Sequence, residues 1–126
     1  MNRPLLDSSQ LSPAATAHLS RFHADVVGEV ERAVKDSAVL VVGMSGNLHV
    51  KRVRQALTDA SIPFRYIEYG SYFGKWKQRL AIKLWSGWPT FPQVFVRGVL
   101  IGGEDLTLAA LGDGTLKKML DGGVAA

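Results

Sequence analysis

Apolar residues recur along this chain in two periodicities, one typical of helices and the other of strands. Three segments place them at helical spacing with charged residues between them, as in amphipathic helices, at about residues 19–34, 50–60 and 73–86. Pro89 and Pro92 cannot lie in a helix interior, so the third segment is expected to end near residues 86–87. Two short helices, near residues 105–111 and 114–121, are predicted to close the chain.

Four short stretches have the composition of β-strands. Residues 38–42 form a continuous apolar run rich in valine, which favours a strand buried on both faces. Residues 64–68 alternate in polarity, and residues 93–97 and 99–101 flank Gly98 as a hairpin would. Because a strand–helix–strand unit joins parallel strands by a right-handed crossover, the economical fold is a four-stranded mixed sheet with helices on both faces.

Composition indicates one globular α/β domain. The chain has 126 residues, of which 47% are hydrophobic and 21% charged. We interpret residues 1–15 as a flexible tail and residues 16–126 as the domain. An apolar run of about 18 residues, as a membrane span needs, is missing. The polar, proline-interrupted start is unlike a secretory signal, so the cytoplasm is the expected compartment.

The formal net charge of +4 comes mainly from two basic clusters on predicted helices, Lys51, Arg52 and Arg54, then Lys75, Lys77, Arg79 and Lys83. Solvated helix faces are the favoured interpretation, and nucleic acid or an acidic protein is the less favoured one, because no nucleic-acid motif accompanies the charge. The chain has no cysteine, which excludes disulfides and thiolate metal sites. Its three histidines show no compact metal spacing, so no metal site is expected.

The most distinctive segment lies near the end of the chain. Residues 88–93 read WPTFPQ, and Gly102-Gly103 with Asp105 follow the predicted hairpin. This run resembles the second half of glutaredoxins, especially the monothiol class, and the resemblance extends over about residues 20–121. It implies a thioredoxin-like fold with a four-stranded mixed sheet flanked by helices, here with an extra N-terminal helix.

The resemblance fails at the residue that defines the family's chemistry. Matching the helix that follows the active-site loop places residues 47–50, NLHV, at the four CPYC positions, so that Asn47 stands where the nucleophilic cysteine belongs. A monothiol register would move the match to about Lys51, but it would delete the helix start. Asparagine cannot ionise or attack sulfur, whereas it is a good N-cap residue. An iron–sulfur cluster is not expected, because the family takes one cluster ligand from this cysteine.

The resemblance also implies a groove for glutathione or a peptide. In relatives the bond before the matching proline, here Pro92, is cis, and the residues beside it pair with an extended ligand. Arg79 would hold the glycine carboxylate of glutathione, although it could equally be an exposed helix charge. The lysine that usually precedes the loop is missing, because Gly43 or Met44 occupies its place. The residues that match the ligand-binding positions are Asn47, Arg79, Thr90, Phe91, Pro92, Gly102, Gly103, Glu104 and Asp105.

Three functions remain open at this stage. The favoured one is a non-redox module that binds glutathione, a peptide or a partner protein, with glutathione the only candidate cofactor. The second is a glutathione-dependent enzyme in which Ser45 stabilises the bound thiolate, and the third is the electrostatic binder described above. Glu104 and Asp105 could instead serve only as helix-capping residues. Residues 69–73 are a candidate partner surface, and Trp76, Trp85 and Trp88 are expected to be packing anchors.

Overall fold

A computed structural model describes residues 6–122 of the chain. Its strands are β1 (Val39–Gly43), β2 (Arg65–Glu68), β3 (Gln93–Val96) and β4 (Val99–Gly102). They form one sheet in the order β2-β1-β3-β4, in which β1 is parallel to β2 and antiparallel to β3, and β3 is antiparallel to β4. This arrangement confirms the predicted four-stranded mixed sheet.

The described residues also form six α-helices and one 3-10 turn, Ser8–Gln10. The helices are α1 (Pro13–Arg21), α2 (Ala24–Asp36), α3 (Leu48–Asp59), α4 (Trp76–Ser86), α5 (Glu104–Asp113) and α6 (Thr115–Leu120). None of them is both long and apolar enough to cross a lipid bilayer.

Strand β1 separates two apolar cores. Leu40 and Val42 point into a cluster that α2 and α4 cover, whereas Val39 and Val41 point into a second cluster covered by α3 and α6. Alternate residues of a strand face opposite sides of a sheet, so a fully buried strand must be apolar at every position. All five residues of β1 are buried, as the continuous apolar run predicts.

The N-terminal helix differs from the prediction of one helix over residues 19–34. Two helices, α1 and α2, meet at His23, whose positive φ of 46° cannot continue an α-helix. Helix α1 begins at Pro13 after Ser12, whose hydroxyl accepts the Ala15 N–H at 3.0 Å. Ser12 followed by Pro13 is a recognisable helix start that the apolar periodicity overlooks. The segment interpreted as a tail thus includes helical residues, and its residues 1–5 lie outside the described part.

The third predicted helix starts later than its apolar pattern indicated. Helix α4 begins at Trp76, and Phe73 lies in a tight turn closed by a bridge between Ser71 and Gly74. Phe73 is 100% exposed and Trp76 is 60% exposed, so the expectation that Trp76 is a packing anchor is wrong. The apolar periodicity placed the start of this helix too early, because the left-handed Lys75, with φ of 60°, separates the turn from the helix.

Gly43 permits a close contact that positions the start of α3. A Cβ atom at Gly43 would lie 2.7 Å from Cγ1 of Val50 and 3.0 Å from Cε1 of Tyr66. The end of β1 and the first turn of α3 therefore approach each other more closely than any side chain larger than hydrogen allows.

We expect Gly43→Ala to lower the free energy of unfolding by about 1 to 3 kcal/mol, because the added methyl overpacks a rigid contact. Gly112→Ala is the matched control: Gly112 lies in α5 with open space around its Cα, and alanine should stabilise the helix by up to about 1 kcal/mol. Urea denaturation of both variants measures the difference. An equal stability of Gly43→Ala and the wild type would contradict the tight contact.

Candidate functional site

The tip of α3 is built around Asn47. Its side-chain Oδ1 accepts the Val50 N–H at 3.0 Å, and its backbone carbonyl accepts the Lys51 N–H at 3.1 Å. Its Nδ2 donates to the Tyr72 hydroxyl at 3.3 Å. The prediction that Asn47 is an N-cap is confirmed, and the cap satisfies a backbone N–H that the helix itself leaves unpaired.

A groove of about 460 Å³ runs beside this tip, between α3, the segment before β3 and the start of α5. We call it the proline groove. Its lining contains six of the sequence-predicted site residues, Thr90, Phe91, Pro92, Gly103, Glu104 and Asp105, together with His49, Trp88 and Leu106.

The wall of the groove at residues 90–92 has the expected backbone conformation. The Phe91–Pro92 peptide bond is cis, as the resemblance implies. The Phe91 side chain is buried in the core that also contains Phe95, so packing in the core holds this segment in position. Gln93 is completely buried, and its Nε2 donates to the Trp88 carbonyl at 3.1 Å, which ties together the two ends of this wall.

The opposite wall depends on two adjacent glycines. Gly102 has a φ of +123°, a conformation that L side chains rarely adopt, and a Cβ there would lie 2.7 Å from Cδ1 of Leu106. At Gly103 a Cβ would lie 3.3 Å from the Trp88 indole nitrogen and 3.4 Å from the Pro92 carbonyl oxygen. The Gly-Gly pair therefore brings the start of α5 close to Trp88 and Pro92.

Glu104 connects the two sides of the groove. Its Oε1 lies 2.9 Å from His49 Nδ1 and 3.8 Å from Arg52 Nη1, so the carboxylate joins the start of α5 to α3. Asp105 follows it as an exposed residue in the first turn of α5, where its negative charge favours the helix. One interpretation of the sequence was that Glu104 serves only as a helix-capping residue. Its contacts with His49 and Arg52 show that it also joins α5 to α3.

Sequence reasoning missed His49. It was considered only as a metal ligand, and the residue it contacts is far away along the chain. Its position two residues after Asn47, on the first turn of the same helix, was the one available signal that it lies near the groove.

Arg79 lies apart from the other predicted site residues. Its side chain turns inward from α4 and is only 7% exposed, which excludes the interpretation as an exposed helix charge. Its Nη1 donates to the carbonyl oxygens of Tyr69 at 3.0 Å and Gly74 at 2.6 Å. Arg79 therefore holds the turn over residues 69–74 in place instead of facing the proline groove.

A second depression lies on the other side of the α3 tip and includes Ser45, Asn47 and Tyr66. The Ser45 N–H donates to the Gly70 carbonyl at 2.7 Å, which joins this loop to the turn that Arg79 holds. Burial and a hydrogen bond to Glu68 raise the pKa of the Tyr66 hydroxyl well above its ordinary value. Met44, one of two residues at the position of the usual lysine, is buried and carries no charge.

The donor set at the α3 tip does not fit an iron–sulfur cluster. The tip carries the amide of Asn47, and the chain has no cysteine to supply the thiolate that a cluster would need from the protein. Within residues 6–122 no group of three or more histidine, aspartate or glutamate side chains is arranged to hold a metal ion.

The sheet order, the cis-proline wall and the capped helix tip together define a thioredoxin-like domain. A glutaredoxin family profile matches residues 49–101. The glutaredoxin-like protein of Dictyostelium discoideum is 50% identical over 98 residues, covering 78% of this chain and 80% of that protein. The chain therefore belongs to the glutaredoxin family.

Solved structures agree with this assignment. Oxidised glutaredoxin 2 from Chlamydomonas reinhardtii superposes with a TM-score of 0.69 at 26% identity, over 82% of this chain and 97% of that one. A buckwheat glutaredoxin solved in complex with glutathione gives a TM-score of 0.67 at 23% identity, over 78% and 89% of the two chains. The thioredoxin-like glutaredoxin fold is confirmed, in a family member that has no cysteine.

We expect Arg79→Met to lower the free energy of unfolding by about 1 to 3 kcal/mol, because two carbonyl groups lose their charged donor. Amide exchange at Ser45 should also accelerate as the turn loosens. Lys77→Met, an exposed change on the same helix, should alter stability by less than about 0.5 kcal/mol. Unchanged stability of Arg79→Met would argue against this structural role.

Proposed function

We propose that this protein is a non-redox binding module of the glutaredoxin family, which holds glutathione or an extended peptide in the proline groove. The observation that carries the proposal is the assembly of six predicted ligand-binding residues around one groove, beside a helix tip that has no cysteine.

The groove has the features that an extended ligand needs. Residues 90–92 form the wall of the groove directly before β3, and backbone pairing with an extended ligand is a known mode of peptide recognition. Asp105 supplies an exposed carboxylate for the amino group of a γ-glutamyl end. The buckwheat relative, crystallised with glutathione, supports the same choice of ligand.

The groove also lacks two contacts that the resemblance would supply. Arg79 is engaged with the turn over residues 69–74, and the usual lysine is replaced by an uncharged residue. The carboxylate of the ligand's glycine therefore has fewer cationic partners than in typical relatives. We infer that glutathione binds weakly and that a peptide with other end groups competes with it.

An electrostatic role in binding nucleic acid has less support. Arg79, one member of the second basic cluster, is buried. Arg54, from the first cluster, stacks over the Tyr66 ring with its guanidinium carbon 3.8 Å from the ring centroid. The second cluster therefore presents less accessible charge than its sequence indicates, whereas Arg54 of the first cluster is held against an aromatic ring.

Glutathione titration tests the groove directly. We expect amide shifts at Thr90, Gly103 and Asp105, and about fivefold weaker binding in Asp105→Asn, because one exposed charge contact is lost. Asp25→Asn is the matched control: Asp25 holds the same second position in helix α2, away from the groove, and this change should leave binding unaltered. The absence of shifts at millimolar glutathione would exclude glutathione as the ligand.

Restoring the thiol tests the scaffold. We expect Asn47→Cys to reduce disulfides in the presence of glutathione, because the amino end of α3 favours a thiolate. Ser45→Cys places a thiol on the same loop but outside the cap position, and it should remain near the blank rate. An inert Asn47→Cys protein with a native circular dichroism spectrum would show that the groove no longer holds glutathione.

A further inference from the structure

The contact between His49 and Glu104 has the geometry of a proton-accepting pair. His49 Nδ1 and Glu104 Oε1 are 2.9 Å apart, and both side chains line the proline groove. A carboxylate oxygen can only accept a hydrogen bond, so Nδ1 of His49 is the donor. When the ring is neutral, its lone pair then lies on Nε2, which is the nitrogen available to a ligand.

The burial of the two partners differs in a way that suits these roles. The Glu104 side chain is only 12% exposed, whereas that of His49 is 60% exposed. The second carboxylate oxygen of Glu104 is buried, and it lacks a hydrogen-bond partner among the described residues. Glu104 is thus held within the wall of the groove, while the imidazole remains accessible from solvent and from a bound ligand.

The pair lies where a ligand's thiol is expected. His49 follows Asn47 by two residues on the first turn of α3, and the register that the resemblance favours places Asn47 at the family's nucleophilic cysteine. An amide cannot ionise a thiol, so Asn47 cannot replace the cysteine chemically. An imidazole oriented by a carboxylate can take a proton from a neighbouring thiol, as in enzymes with a cysteine–histidine pair.

We propose that His49 Nε2 accepts the proton from the thiol of glutathione, or of a cysteinyl peptide, bound in the proline groove, with Glu104 as the positioning residue. The S–H bond breaks, its electron pair stays on the ligand sulfur, and the proton forms an N–H bond on His49. The protein then holds a thiolate that belongs entirely to its ligand. This inference rests on the proposed binding function and adds a thiol-activating role to it.

The charged groups around His49 have both signs. Glu104 and Asp105 face the groove from α5, with Glu104 Oε1 2.9 Å from His49 Nδ1, and Arg52 lies on the same helix as His49, 3.8 Å from that carboxylate. The amino end of α3 favours the negative charge on sulfur. Thiolate and imidazolium therefore stabilise each other at the helix tip.

The absence of cysteine makes the test direct, because any thiolate signal in the complex comes from the ligand. We expect glutathione bound to the wild type to titrate at lower pH than free glutathione, by ultraviolet thiolate absorbance between pH 6 and 9. At neutral pH the bound thiolate fraction should exceed that of free glutathione roughly tenfold. S-methylglutathione, which has no thiol, should bind without this signal.

Two variants separate the roles of the pair. In His49→Gln the glutathione that remains bound should titrate as it does in free solution. Glu104→Gln should give an intermediate titration, and Glu104→Asp should restore part of the shift. His18→Gln, an exposed histidine on α1, is the matched control and should behave as the wild type does.

The outcomes distinguish this inference from the binding function. If glutathione binds and its thiol titrates identically in the wild type and in His49→Gln, the thiol-activating role is wrong and the binding function stands. If neither glutathione nor S-methylglutathione binds the wild type, glutathione is excluded as the ligand, and the thiol-activating role of His49 toward glutathione is wrong.

Discussion

The close approach of α3 to the end of β1 determines the geometry of the site. Hydrogen at Gly43 lets Val50 and Tyr66 pack against the strand, where even a methyl group would overlap them. This contact fixes the first turn of α3, and with it Asn47 and His49. The glycine pair at residues 102–103 performs the same task on the other side, where it brings α5 close to Trp88 and Pro92. The groove therefore depends on backbone approaches that only glycine permits.

The tip of α3 has no thiol, and its polar groups are hydrogen-bonded within the protein. Asn47 caps α3 through its side chain and also contacts Tyr72, so the tip is tied to the turn over residues 69–74. The Arg79 guanidinium donates hydrogen bonds to two carbonyl oxygens of that turn and so stabilises it. Residues that would serve redox chemistry or ligand recognition in typical relatives thus have structural partners here. The remaining ionisable side chains in the groove are His49, Glu104 and Asp105, and they are what makes a role without a protein thiol chemically reasonable.

Most of the fold could be predicted from local patterns. The apolar run of β1 and the helical periodicity of α2 and α3 reflect burial, and burial follows directly from the spacing of apolar residues. The apolar pattern failed at His23, a left-handed residue that separates α1 from α2, and at Phe73, which lies in a turn that the left-handed Lys75 separates from α4. Such conformations depend on the neighbouring turns and leave the apolar spacing almost unchanged, so spacing alone could not locate them.

By itself the sequence determined the family, through the segment from Trp88 to Asp105, and the absence of a thiol, through its composition. Only the tertiary structure decided which partners the polar side chains meet. From its position on α4 the Arg79 side chain could face either solvent or the interior. Its hydrogen bonds to two carbonyl oxygens hold it in the interior. His49 and Glu104 are far apart along the chain and meet because two glycine-dependent approaches bring their helices together. Hydrophobic spacing specifies which face is buried, whereas a hydrogen bond between distant residues depends on how whole elements pack.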